Sequence, residues 1–120
     1  MLTAAEITRL LDIANAGVNH GQIALARKIY AGILEGHPDH APTKISLALS
    51  RIAVGEYDAA EAELKSVLEK DPEDADALAY LGLSALLAGR RDEAEEILKR
   101  VPEGAAAHAL AASLLDAPAP

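Results

Sequence analysis

Apolar residues recur along this chain at helical spacing, in short runs broken by Gly21, Gly55 and Gly89, which lie 34 residues apart. Other positions keep the same interval: Ala26, Ala60 and Ala94; Ile13, Leu47 and Leu81; Tyr30, Leu64 and Leu98; Ile33, Val67 and Val101; Pro38 and Pro72. A repeat with apolar periodicity on both sides of a breaking glycine reads as two helices joined by a tight turn. The pattern predicts helices near 4–18, 22–35, 42–53, 57–70, 75–88 and 91–101, and a seventh over about 105–115. Thr3 with Glu6 three residues on is a capping-box signal for the first helix.

Each first helix carries one apolar stripe for its partner helix: Leu10, Ile13 and Ala14; Leu47, Ala48 and Arg51; Leu78, Leu81, Gly82 and Ala85. Small residues at 14, 48 and 82, and at 26, 60 and 94, let the paired axes approach closely. A second stripe is left over: Leu11, Asn15 and Val18; Ile45, Leu49 and Ile52; Ala79, Leu83 and Leu86, with Leu87 beside it. From Ala77 to Ala88 the chain is uncharged all round, and such a helix expects cover on every side. Glu61 with Lys65, Glu95 with Lys99 and Glu96 with Arg100 are i,i+4 pairs that predict a solvated face on the second helices.

Composition narrows the picture further. With 51% hydrophobic but 2% aromatic residues, and no Phe or Trp, the 120 residues suit one domain of close-packed helices. The net charge of −8 comes from the second half: residues 1–56 balance five basic against five acidic side chains, while 57–120 set six against fourteen. That balance repels nucleic acid and anionic membranes. No uncharged run is long enough to span a bilayer, and the N-terminus does not read as a secretory signal. The absence of cysteine removes disulfides and thiolate chemistry and leaves cytoplasm as the default compartment.

Chemistry-bearing constellations are sparse. His37 and His40 flank a proline turn without a firm third ligand, so they read, like His20 and His108, as exposed loop imidazoles rather than a metal site. The glycines are spread by the repeat rather than clustered for phosphate or cofactor binding, and Ser46, Ser50, Ser66, Ser84 and Ser113 have no obvious base. The expectation is a non-enzyme without metal or cofactor.

Leu47-Ala48, Gly55-Glu56-Tyr57, Ala60, Leu64, Val67 and Asp71-Pro72 in the middle unit resemble a tetratricopeptide repeat, and so do Leu78, Leu81-Gly82, Gly89, Ala94 and Leu98 in the third. Ile13-Ala14, Gly21, Ala26, Tyr30 and Pro38 match in the first. Two departures stand out: Leu10, Lys44 and Leu78 occupy the motif's Trp position, and Pro102 comes early enough to cut short the last second helix. The resemblance implies an all-α, right-handed superhelical solenoid of three helix-turn-helix repeats, at about 7–40, 41–74 and 75–104. Within one domain over 1–116, a capping helix at 105–115 closes the stack, and 117–120 form a disordered tail.

It also implies that the second stripe lines a concave groove for a protein or peptide, favouring an amphipathic helix. Groove positions that hold acidic C-terminal peptides in the family are here Leu11, Asn15, Ser46, Asp76 and Tyr80, of which only Asn15 suits that task. A narrower similarity, at Leu11-Asp12-Ile13-Ala14, Ala16-Gly17, His20, Ile45, Ala53, Gly55 and Tyr57, is to chaperones of needle subunits in bacterial type III secretion. That likeness implies a cytoplasmic chaperone that holds a filament protein's helix, together with a small co-chaperone. The alternatives are a general adaptor, or a homodimer whose groove is closed by its own helices.

Overall fold

A computed structural model describes residues 2–116, and it contains seven α-helices and no strand among them. The helices are α1 Ala4–Asn19, α2 Ile23–Gly36, α3 Ala41–Ile52, α4 Tyr57–Lys70, α5 Ala75–Leu87, α6 Arg91–Leu98 and α7 His108–Leu115. The expected tail at 117–120 lies outside the described residues. The molecule is elongated, 42 × 28 × 21 Å.

One turn is used three times. Gly21, Gly55 and Gly89 adopt φ of 79°, 81° and 84°, the left-handed region that side chains avoid, so glycine is required there. In each turn the next residue donates back across it: Gln22 N–H to Gly17 O at 2.7 Å, Glu56 N–H to Arg51 O at 2.9 Å and Arg90 N–H to Ala85 O at 2.9 Å. These bonds close the first helix of each pair and reverse the chain. At the start, Thr3 Oγ1 accepts from the Glu6 amide at 3.2 Å while Glu6 Oε1 accepts from the Thr3 amide at 3.0 Å, completing the capping box.

Two boundaries differ from expectation. α6 ends at Leu98 and α7 begins at His108, because Pro102 has no amide to donate and disfavours helical geometry at Val101. The chain passes instead through tight turns, with Val101 N–H bonded to Leu98 O at 3.2 Å and Ala105 N–H to Pro102 O at 3.1 Å.

Within each pair the small positions are sealed: Ala14, Ala48, Ala60, Ala26 and Ala94 have at most 1% of their surface exposed. Gly82 goes one step further. A Cβ there would fall inside the Leu98 side chain, so α5 and α6 approach more closely than any residue but glycine permits.

The stripe expected at Ile13 is corrected by the fold. Leu47 and Leu81 are 8% and 4% exposed, packed beside Tyr30 and Ile33 of α2 and beside Leu64 and Val67 of α4, whereas Ile13 is 59% exposed. This register position docks on the second helix of the preceding pair, and α1 has no preceding pair among the described residues.

The second helices also depart from expectation. Glu61, expected on the solvent side with Lys65, is 4% exposed and bonds Arg90 through two contacts, one of them Arg90 Nη1 to Oε1 at 3.0 Å. Glu95 accepts from Arg91 Nε at 3.2 Å rather than from Lys99. A helical wheel gives the spacing of side chains on one helix but cannot see a cation arriving from the next pair.

Candidate functional site: the inner face of the stack

Contacts between helices define an inside and an outside. Consecutive first helices touch, α1 with α3, α3 with α5 and α5 with α7, while the second helices α2, α4 and α6 do not touch one another. The first helices therefore form the close-packed inner layer, and the splayed second helices form the convex one. α7 continues the inner layer. It packs on α5 and α6 and reaches neither α1 nor α3, so it leaves the inner face of the first two pairs uncovered.

The second stripe lies on these inner helices at three depths. Ala79 is fully sealed, and Leu11, Ile45 and Ile52 are buried at 8%, 9% and 7%, forming the floor. Val18, Leu49, Leu83 and Leu86 are half-buried, and Leu87 and Asn15 are exposed. Leu49 packs onto the core of the second and third pairs, and Val18 onto that of the first. The members of the stripe that keep apolar surface are thus Val18, Leu49, Leu83, Leu86 and Leu87. Ala79 has no surface to offer one.

Asn15, the one polar member, is already engaged: its Oδ1 accepts from the Tyr30 hydroxyl at 2.6 Å. Tyr30 has no exposed surface, and burial pushes its hydroxyl pKa up, which keeps it a neutral donor. Its amide oxygen therefore serves a core tyrosine, which fixes the orientation of the side chain. Lys44 is occupied as well, donating to Ser66 Oγ at 3.1 Å and lying 3.8 Å from Asp39.

The histidines are placed differently from expectation. His20 alone is exposed, while His37, His40 and His108 are half-buried. His40 shares a 2.7 Å hydrogen bond with the buried Thr43 hydroxyl, and burial first, then the nearby His37, lowers its pKa. No group of three His, Asp or Glu among the described residues is arranged to hold a metal. No described helix is long and apolar enough to cross a membrane.

The polar residues that join one pair to the next are invisible to a reading of each helix alone. Arg27 of α2 donates to Ser50 Oγ and Ser50 O, each at 3.3 Å, and lies 3.0 Å from Glu56 Oε1. Thirty-four residues on, Glu61 stands in the place of Arg27 and Arg90 in the place of Glu56, so the second junction carries the same link with its charges exchanged. The repeat itself is the signal that could have found them, had opposite charges been compared across registers.

Comparison with known proteins agrees with this architecture. A tetratricopeptide repeat protein from Parabacteroides merdae superposes with a TM-score of 0.74 at 20% identity, over 95% of this chain and 46% of that one. This chain thus spans about half the length of that protein. No curated protein matches it. Residues 51–117, more than half of the chain, match the tetratricopeptide repeat family, and the chain belongs to that family.

Proposed function

We propose that the inner face binds an amphipathic helix of a partner protein, laid with its apolar side on Val18, Leu49, Leu83, Leu86 and Leu87. One observation carries this reading: a row of incompletely buried aliphatic side chains runs along three touching first helices, and no charged side chain interrupts α5 between Ala77 and Leu87. An apolar row of this kind recognises a helix through anchors at i, i+3, i+4 and i+7. Tetratricopeptide repeats are a family of protein-binding scaffolds, which supports a binding module over an enzyme.

The partner we favour is a small filament-forming subunit of a type III secretion needle, held soluble by a cytoplasmic bacterial chaperone that works with a co-chaperone. This choice rests on the likeness at Leu11-Asp12-Ile13-Ala14, Ala16-Gly17 and His20, and on the need to mask a helix that would otherwise polymerise. A general adaptor would use the same surface.

Leu83→Asp tests the surface itself. An unpaired charge facing an apolar ligand weakens capture by about 2 kcal/mol or more while helicity by circular dichroism stays unchanged. Unchanged affinity with unchanged helicity would refute the assignment.

A further inference from the structure

The open end of the stack at α1 has a pattern of its own. Leu2, Glu6, Arg9, Leu10 and Ile13 line a shallow depression there. At the two internal junctions the same register positions are sealed, with Thr43 and Ala77 at 0%, Leu47 at 8% and Leu81 at 4%. Arg9 stands at the register of Thr43 and Ala77, so any partner that covers this face must answer its charge. Arg9 makes no hydrogen bond or ion pair among the described residues. The face is apolar enough to need cover, and it carries a charge at a register where the internal junctions carry none.

It is built for itself. Glu6, Arg9 and Ile13 follow one another on α1 at intervals of three and four, the spacing of a helix-pairing seam, and Leu2, just ahead of the Thr3 cap, lines the same depression. When two such seams run antiparallel about a two-fold axis level with the midpoint of Glu6 and Arg9, Leu2 faces the partner's Ile13 and Glu6 faces the partner's Arg9. Both relations are repeated by symmetry, as an isologous contact demands. Glu6 is held in place by the capping box through Oε1, and Oε2 remains available to a cation.

We propose that two copies of this chain pair through α1 in this antiparallel register, leaving the inner groove of each copy open. Light scattering and sedimentation of the full chain over a wide concentration range test it. The wild type is expected to form a reversible dimer, and Arg9→Glu to raise its dissociation constant about tenfold or more by setting like charges against each other. An equimolar mixture of the Arg9→Glu and Glu6→Arg chains is expected to recover dimers, because each charge then meets its opposite. Ile13→Asp, remote from the cap, is expected to dissociate the dimer with helicity intact. A wild type that stays monomeric at its solubility limit would overturn the proposal. So would a dimer indifferent to both Arg9→Glu and Ile13→Asp, or one dissolved by Leu83→Asp alone.

Discussion

Where α4 meets α5, Leu64 and Val67 join Ala77, Leu78 and Leu81 in one continuous apolar core that runs on to Ala111 of α7. Where α2 meets α3, the core divides. Leu47 alone packs with Tyr30 and Ile33, while Ile45, Ala48 and Ile52 belong to the next cluster. The polar side chains of Arg27, Ser50 and Glu56 bridge the gap. A repeat period therefore fixes where helices lie but not how firmly neighbours are joined. In a stack whose stability is a sum of units and junctions, the first pair is the one that opens first.

Truncating the two equivalent docking leucines should separate the junctions most sharply. Leu81→Ala is expected to cost about 3 kcal/mol and to destabilise α4 to α7 together. Leu47→Ala, on the weaker seam, is expected to cost about 2 kcal/mol and chiefly to expose the amides of α1 and α2 to hydrogen exchange. If Leu47→Ala loosened all seven helices equally, the division of the core would have no energetic meaning.

The buried serines should change in opposite directions. Ser50 Oγ donates to Leu47 O at 2.6 Å and accepts from Arg27, whereas the equivalent Ser84 hydroxyl, equally buried, has no partner among the described residues. Ser50→Ala is expected to cost about 1 kcal/mol and Ser84→Ala to gain up to about 1 kcal/mol in chemical denaturation. Loss of stability in Ser84→Ala would show that its hydroxyl does have a partner.

The smallest effect comes with pH. Hydrogen bonding from Arg27, then the charge of Arg27 and the contact with Arg51, holds the Glu56 carboxyl below the ordinary carboxylate range. Its contribution is therefore complete above that range and is lost as pH falls through it. Acidification into and below that range should loosen the α2–α3 seam slightly, and Glu56→Gln should remove that part of the pH dependence. The Arg90–Glu61 link, whose carboxylate is buried, should be less sensitive to salt than the exposed Glu56 contacts.

Much of this was legible from spacing. The three turn glycines, the capping box and the small residues between paired helices are local or periodic requirements, and a 34-residue interval displays them directly. Ile13 departs from its register because register records what a position does between two pairs, and no pair lies before α1 among the described residues. Lys65, one turn away on the same helix, makes Glu61 look solvated, while its partner Arg90 stands 29 residues later at the cap of α6. Of the second stripe, the spacing on each first helix shows which residues share a face. The depth of each residue depended on how tightly the first helices close on one another, which is why Ala79 ended in the floor and Leu83 at the surface.

The most direct test of the inner face as a helix-binding surface is site-specific photocrosslinking in the cells that make the protein, with a photoreactive residue at Leu49 or Leu83 and, as control, at Lys65 on the convex side. The account predicts adducts from the two inner positions to one segment of a partner that is helical and amphipathic, with none from Lys65. Adducts from Lys65 alone, or from the inner positions only to other copies of this chain, would contradict it.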